Sequence, residues 1–358
     1  MHFGMFMEFG FREGGDSARA FAEGFDLVDA AEAWGLDCAW LAEFHFNRDR
    51  SVLSSPILTA TAIASRTRRM RVGSAVYVLP LAGTPLRIAE EVATLDQISG
   101  GRFDFGIGRS GFQRSYRSYG VDYEESQARF DEALEILRRA WAGGKFSFEG
   151  KYYTVTEAEL VPTPVQKPHP PLRMAATSAA TFEKVAREGL PVFVGLRGDG
   201  LSFLAESLGH YRSVWKASGH PGEGSVYLRV PAYVGADERD AYETPRASVE
   251  YYFARQARQL RDQGVGGRER VAKLLDALDY DEIRASRVAF GSAAAVVDRF
   301  QEWREVLGID GVVLELNPGG LLGEAAVKAS LDRLCHEVMP VEQPASLRTQ
   351  ISCSNLLR

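Results

Sequence analysis

The feature that most constrains this chain is an eightfold beat of short apolar runs, each followed by a longer amphipathic stretch. The runs fall at residues 3–7, 38–42, 71–79, within 101–111, and at 172–176, 192–195, 226–234 and 311–316. Continuous β-branched runs such as RVGSAVYVL at 71–79 fit strands buried on both faces. The stretches between them carry apolar residues at helical spacing. In the first, Phe21, Phe25, Val28 and Ala31 form one stripe, with Asp16 or Ser17 as the cap and Gly35 as the stop. Eight strand–helix units predict a closed (β/α)8 TIM barrel, because an open doubly wound sheet usually has fewer strands. The beat breaks twice. After the fourth strand, FSFEGKYYTV and a proline-rich run predict a hairpin excursion. After the seventh, residues 237–285 predict a charged, mostly helical insertion. Residues 1–340 read as one barrel domain, and 341–358, without periodicity, as a flexible tail.

The net charge of −6 argues against a nucleic-acid partner, which needs a basic face. The start, MHFGMFMEFGF, has no basic n-region and is broken by Glu8, so it reads as a first strand. No apolar run approaches the roughly 18 residues of a membrane span. Three cysteines at wide spacing suggest neither a disulfide framework nor a metal site. A cytoplasmic protein with no membrane partner is expected.

Residues 101–111, GRFDFGIGRSG, carry the first candidate chemistry. Phe103, Phe105 and Ile107 alternate with Asp104 and Gly106, and a glycine-rich loop holding Arg109 follows. A fixed positive charge at the carboxyl end of a barrel strand suits an anion, although a solvated surface arginine is the plain alternative. Gly106 to Gly111 also spells GxGxxG, but FQRSYRSYG after it is a poor helix start and no acidic residue ends a next strand, which disfavours a dinucleotide site. ATSAAT at 176–181 leaves another strand and opens a helix, so the hydroxyls of Thr177, Ser178 and Thr181 suit either helix capping or a phosphate. His45 follows Glu43 at the end of the second strand and is either a packed histidine or an acid/base group. With no Ser-His-Asp pattern and no metal cluster, the chain reads as a cofactor-driven enzyme.

These residues resemble the bacterial luciferase family of flavin-dependent monooxygenases. The likeness runs from Met1 to about Pro340 and is closest at WLAEFHF (40–46), RVGSAVYVLP (71–80), EEVATLDQISGGRFDFGIGRSG (90–111) and ATSAATFEKVAREGLP (176–191). It implies FMN at the carboxyl face of the barrel, O2 as co-substrate through a flavin peroxide, a small organic substrate such as an aldehyde or ketone, a separate flavin reductase, and a homodimer. It implies that Arg109 grips the FMN phosphate together with Ser178 and Thr181, with Thr177 where luciferase has a glutamate. It implies a non-proline cis peptide between Ala75 and Val76 beneath the flavin ring. Gly108 replaces a luciferase cysteine, which suggests extra room there, and Phe44, Tyr77, Phe112 and Tyr116 are candidates to line an apolar pocket.

One departure stands out. Phe44 replaces the first of two adjacent family histidines, the catalytic one. His45 remains, as the catalytic group, as an interface residue paired with Glu90 across the dimer, or as both. The family also contains non-catalytic partner subunits and deazaflavin-dependent oxidoreductases, and both stay open as alternatives.

Overall fold

The computed structural model describes residues 1–11, 15–47, 50–196, 200–262 and 268–343. Eleven strands occur among them: β1 (His2–Met7), β2 (Cys38–Leu41), β3 (Arg71–Val78), β4 (Phe103–Gly108), β5 (Phe146–Glu149), β6 (Thr154–Ala158), β7 (Leu172–Ala175), β8 (Val192–Gly195), β9 (Val226–Val234), β10 (Ala289–Gly291) and β11 (Gly311–Glu315). Eight of them pair in parallel as a closed ring, in the order β1-β2-β3-β4-β7-β8-β9-β11 and back to β1. This is the (β/α)8 barrel expected from the eightfold beat. β5 and β6 form the predicted hairpin after the fourth barrel strand. The insertion after the seventh is helical, with helices at Glu238–Glu243, Arg246–Asp262, Arg268–Ala277 and Tyr280–Ser286.

Two elements differ from expectation. Residues after Arg109 do form a helix, Gln113–Tyr119. Its polar sequence hides one buried anchor, Tyr116, and Gly120 closes it in the left-handed region at φ 68. The second is β10, which pairs with residues 232–234 of β9 because that nine-residue strand outruns the barrel. At the carboxyl end, the helix Met339–Glu342 follows Leu334–Val338 directly. Gln343 is buried, and its side-chain amide donates to Asp37 Oδ2 at 2.7 Å. Residues 344–358 lie outside the described residues.

The barrel interior is layered. Side chains alternate along a strand, so every second residue points inward. The floor is polar: Asp104 takes Arg71 on one oxygen and Arg173 on the other at 3.4 Å, and Cys38 lies among them, its thiol pushed well up by burial and then by Asp104. Cys38 is therefore a packed thiol, without nucleophilic character. The middle layer is Trp40, Phe193 and Tyr227, edge to face. Trp40 fits because its neighbours have no side chain. A Cβ at Gly4 would lie 2.4 Å from Trp40 Nε1, and one at Gly73 would lie 2.4 Å from Cζ3.

Candidate active site

The upper layer, at the carboxyl ends of the strands, divides into two sides. On one side lie β2, β3, β4 and β7, whose upper residues are small. Ala75, Val76 and Ala175 are half-buried and pack onto the interior cluster of Phe6, Trp40 and Phe193, with Phe44 beside them. The Ala75–Val76 peptide is cis. Gly108 does not leave spare room, contrary to expectation. A Cβ there would sit 2.4 Å from Val76 Cγ2, so the valine already occupies that space.

Arg109 follows β4 directly, and Thr177 and Ser178 follow β7 by two and three residues. The two strands are adjacent and in register, with Ile107 opposite Met174. Both loops therefore leave the same end of neighbouring strands, which lie about 4.8 Å apart in any sheet. Arg109 Nη1 donates to Ser126 Oγ at 3.1 Å, and its guanidinium stands 5.2 Å from the Tyr123 ring centre. Among the described residues no carboxylate pairs with it. Across from it, the helix Ala179–Arg187 begins at Ser178 without a side-chain cap. The Ser178 hydroxyl instead meets Thr181 Oγ1 at 2.9 Å, and Thr177 and Ser178 are exposed. An arginine without an acidic partner among the described residues, beside a helix start with no side-chain cap and with exposed hydroxyls, fits a phosphate.

His45 lies elsewhere. Phe44 packs onto the barrel-interior cluster, whereas His45, one residue on, packs against Glu43 and Tyr119. Its Nε2 lies 2.6 Å from Glu43 Oε1 and its Nδ1 lies 3.2 Å from the Tyr119 hydroxyl. Burial, and then the Glu43 carboxylate, push the Tyr119 phenol up. The two ring nitrogens of His45 are both engaged, one by the Glu43 carboxylate and the other by the Tyr119 hydroxyl. The other Glu43 oxygen accepts the Val78 N–H at 2.8 Å. A cavity of about 240 Å³ opens here, lined by Glu43, His45, Tyr77, Glu91 and Tyr119. Glu90 is half-exposed and pairs with Arg87 at 3.3 Å, so within the chain it does not meet His45.

The pocket expected from four aromatic residues divides as well. Phe44 and Phe112 meet edge to face at 6.0 Å, and Phe44 lines a larger cleft of about 560 Å³ together with Phe11, Asn47, Ser51 and Arg114. Tyr77 faces the His45 cavity. Tyr116 is fully buried, its hydroxyl donating to the Arg109 carbonyl, so it holds the loop and lines neither of these two cavities.

A family model described as luciferase-like monooxygenase matches residues 1–311. This chain belongs to the luciferase-like monooxygenase family. An uncharacterized protein of Sinorhizobium fredii is 31% identical over 313 residues, 85% of this chain and 86% of that one. The oxygenase component of a flavin-dependent trigonelline monooxygenase from Acinetobacter baylyi is 26% identical and covers 89% of both chains. Solved structures share the fold of this family member. They include the oxygenating constituent of 3,6-diketocamphane monooxygenase from Pseudomonas putida, in complex with FMN (TM-score 0.80, 19% identity, 95% of this chain and 98% of that one). A coenzyme F420-dependent tetrahydromethanopterin reductase from Methanopyrus kandleri aligns at a TM-score of 0.73 with 20% identity, over 95% of this chain and 99% of that one. The family and its relatives make this chain an enzyme. No helix among the described residues is long and apolar enough to cross a membrane.

Proposed function

We propose that this enzyme is the oxygenase of a two-component system, using reduced FMN from a separate reductase and O2 to oxygenate a small organic substrate. The observation that carries the reading is Arg109, without a carboxylate partner among the described residues, beside the helix start at Ser178 and next to the small residues of the upper layer. The flavin-dependent relative that spans nine-tenths of the chain supports flavin over deazaflavin, and its designation as an oxygenase component supports a separate reductase.

In this reading Arg109 binds the phosphate with a two-pronged fork, and Thr177, Ser178 and Thr181 supply hydroxyl and backbone donors. Ala75, Val76 and Ala175 leave room for a flat ring and support it by packing. Bound reduced FMN supplies the electrons that activate O2. Phe44, with Phe112 packed against it, keeps one wall of the adjoining cleft apolar. Glu43 holds the end of β3 through Val78, and His45 holds Glu43, so the pair acts as a brace behind the ring-facing peptide. Anaerobic titration tests the cofactor. Reduced FMN should bind with micromolar or tighter affinity and reduced F420 should not; the reverse preference would make the chain a deazaflavin oxidoreductase.

We place His45 at a homodimer face, in a cytoplasmic protein. Leu58 and Tyr119, which line its cavity, and adjacent Phe46 are exposed at 72%, 45% and 52%. His45→Ala should shift the sizing profile toward monomer while FMN affinity stays within about threefold. A variant that stays dimeric but loses turnover would return His45 to an acid/base role.

A further inference from the structure

Directly across the barrel mouth from β4 and β7 lie β11 and β1, and this side is charged. Glu8, just after β1, takes the Arg50 guanidinium on both oxygens, with Nε at 3.0 and 3.1 Å. Arg229 on β9 donates to Glu315 on β11 at 2.9 Å and reaches Glu8 at 3.4 Å, with its guanidinium 3.6 Å from the Phe6 ring centre. Tyr252 donates to the same Glu315 oxygen at 2.6 Å. Burial, and then Glu315, push the Tyr252 phenol up, so it remains a donor. Arg255 completes the cluster from the inserted helix Arg246–Asp262.

Arg255 is the member without a close carboxylate among the described residues, although its guanidinium stands 5.7 Å from the Tyr251 ring centre. It is 9% exposed, yet its best carboxylate contact is Glu8 at 4.0 Å, and Glu8 is already filled by Arg50. Its Nε is buried with no hydrogen-bond partner among the described residues. Burial, and then the charge of Arg50, pull its pKa down, as expected for a cation that lacks an anion. Among the described residues three guanidiniums face two carboxylates, which leaves one positive charge of the cluster without a matching carboxylate. A buried unpaired charge is costly, and a protein that retains one gains by filling it. The 560 Å³ cleft borders the cluster through two of its lining residues. Phe44, which lines it, lies 3.9 Å under the Arg50 guanidinium, and Ser51, which also lines it, donates to the Glu8 carbonyl.

We propose that Arg255, backed by Arg50 and Arg229, binds a carboxylate carried by the substrate. This rests on the flavin reading only for the word substrate; the anion site stands on the cluster itself. One surplus charge matches a monoanion, whereas a phosphate dianion would overshoot it. The guanidinium fork suits two carboxylate oxygens. With the phosphate loops on the opposite side of the mouth, a carboxylate held here places the rest of the molecule over the small residues of the upper layer between them.

Calorimetric titration of the full chain, both flavin-free and saturated with FMN, tests the site. The probes are acetate, hexanoate and benzoate, each paired with its own amide. At least one carboxylate should bind about tenfold more tightly than its amide. Arg255→Met should erase that preference and Arg255→Lys should keep part of it, both with FMN affinity unchanged. Carboxylates that bind no better than their amides, or a preference that survives Arg255→Met, would overturn the proposal. Absence of FMN binding in all proteins would instead sink the flavin reading and leave the flavin-free comparison standing. Thermal melts of the unaltered chain need no variant: the preferred carboxylate should raise Tm more than its amide, and equal shifts count against the site.

Discussion

Glu8→Ala is expected to destabilise the protein by about 3–5 kcal/mol, the usual cost of removing one partner from a buried ion pair. Glu8 is the carboxylate on which three arginines converge, and its side chain is 17% exposed. Removing it leaves Arg50, 8% exposed, with Gln259 at 3.4 Å as its remaining side-chain hydrogen bond among the described residues. The surplus charge of the cluster rises from one to two. The same residue predicts a pH dependence. Burial raises the Glu8 pKa, but Arg50, followed by Arg229 and Arg255, outweighs burial and leaves it below the ordinary 4.5. A carboxylate with a lowered folded-state pKa contributes stability that is fully present above its unfolded value. That contribution is lost as pH falls below about 4.5 toward the folded value. Urea midpoints measured from pH 7 down to pH 3 should therefore fall more steeply for the unaltered chain than for Glu8→Ala. Asp29, Glu32 and Asp240, whose pKa values are also lowered, keep part of the slope in both. Parallel curves would show that Glu8 is not the acid-sensitive group.

Gly106→Ala should cost about 3 kcal/mol, the upper end of what overpacking a core incurs. An added Cβ would lie 2.0 Å from the Ser74 carbonyl oxygen and 2.8 Å from Phe193 Cε2. Phe193 is a side chain and can shift, but the Ser74 oxygen belongs to the backbone of the neighbouring barrel strand. Ser74 Oγ in turn donates to the Gly106 carbonyl at 2.7 Å, so pushing the strands apart also strains this bond. Chemical denaturation read by far-UV circular dichroism gives the size of the effect. A loss below about 0.5 kcal/mol would mean that the barrel expands locally at little cost.

The barrel was legible because buried parallel strands are written as continuous apolar runs, and all eight of these survive in the structure. Elements whose identity comes from tertiary contact were hidden. The helix Gln113–Tyr119 is polar along most of its length and is held by buried Tyr116. β10 is three residues long and exists because β9 outruns the ring. In the site, Glu43 and His45 stand two positions apart, so their association could be suspected from spacing. Arg109 was legible as a charge in a glycine loop. The charged cluster was not, since Glu8, Arg50, Arg229, Arg255 and Glu315 come from distant segments and each alone reads as an ordinary surface charge. Gly108 misled for a related reason: a missing side chain suggests a void, but Val76 fills it from the next strand.

The phosphate grip is the central claim, and comparing FMN with riboflavin tests it most directly, since the two differ by the phosphate alone. The unaltered chain should bind FMN more tightly than riboflavin, and Arg109→Ala should weaken FMN binding by about 1.5–3 kcal/mol, the worth of a charge-assisted hydrogen bond, while riboflavin binding stays the same. Equal affinities for the two flavins in the unaltered chain, or an undiminished preference for FMN in Arg109→Ala, would contradict it.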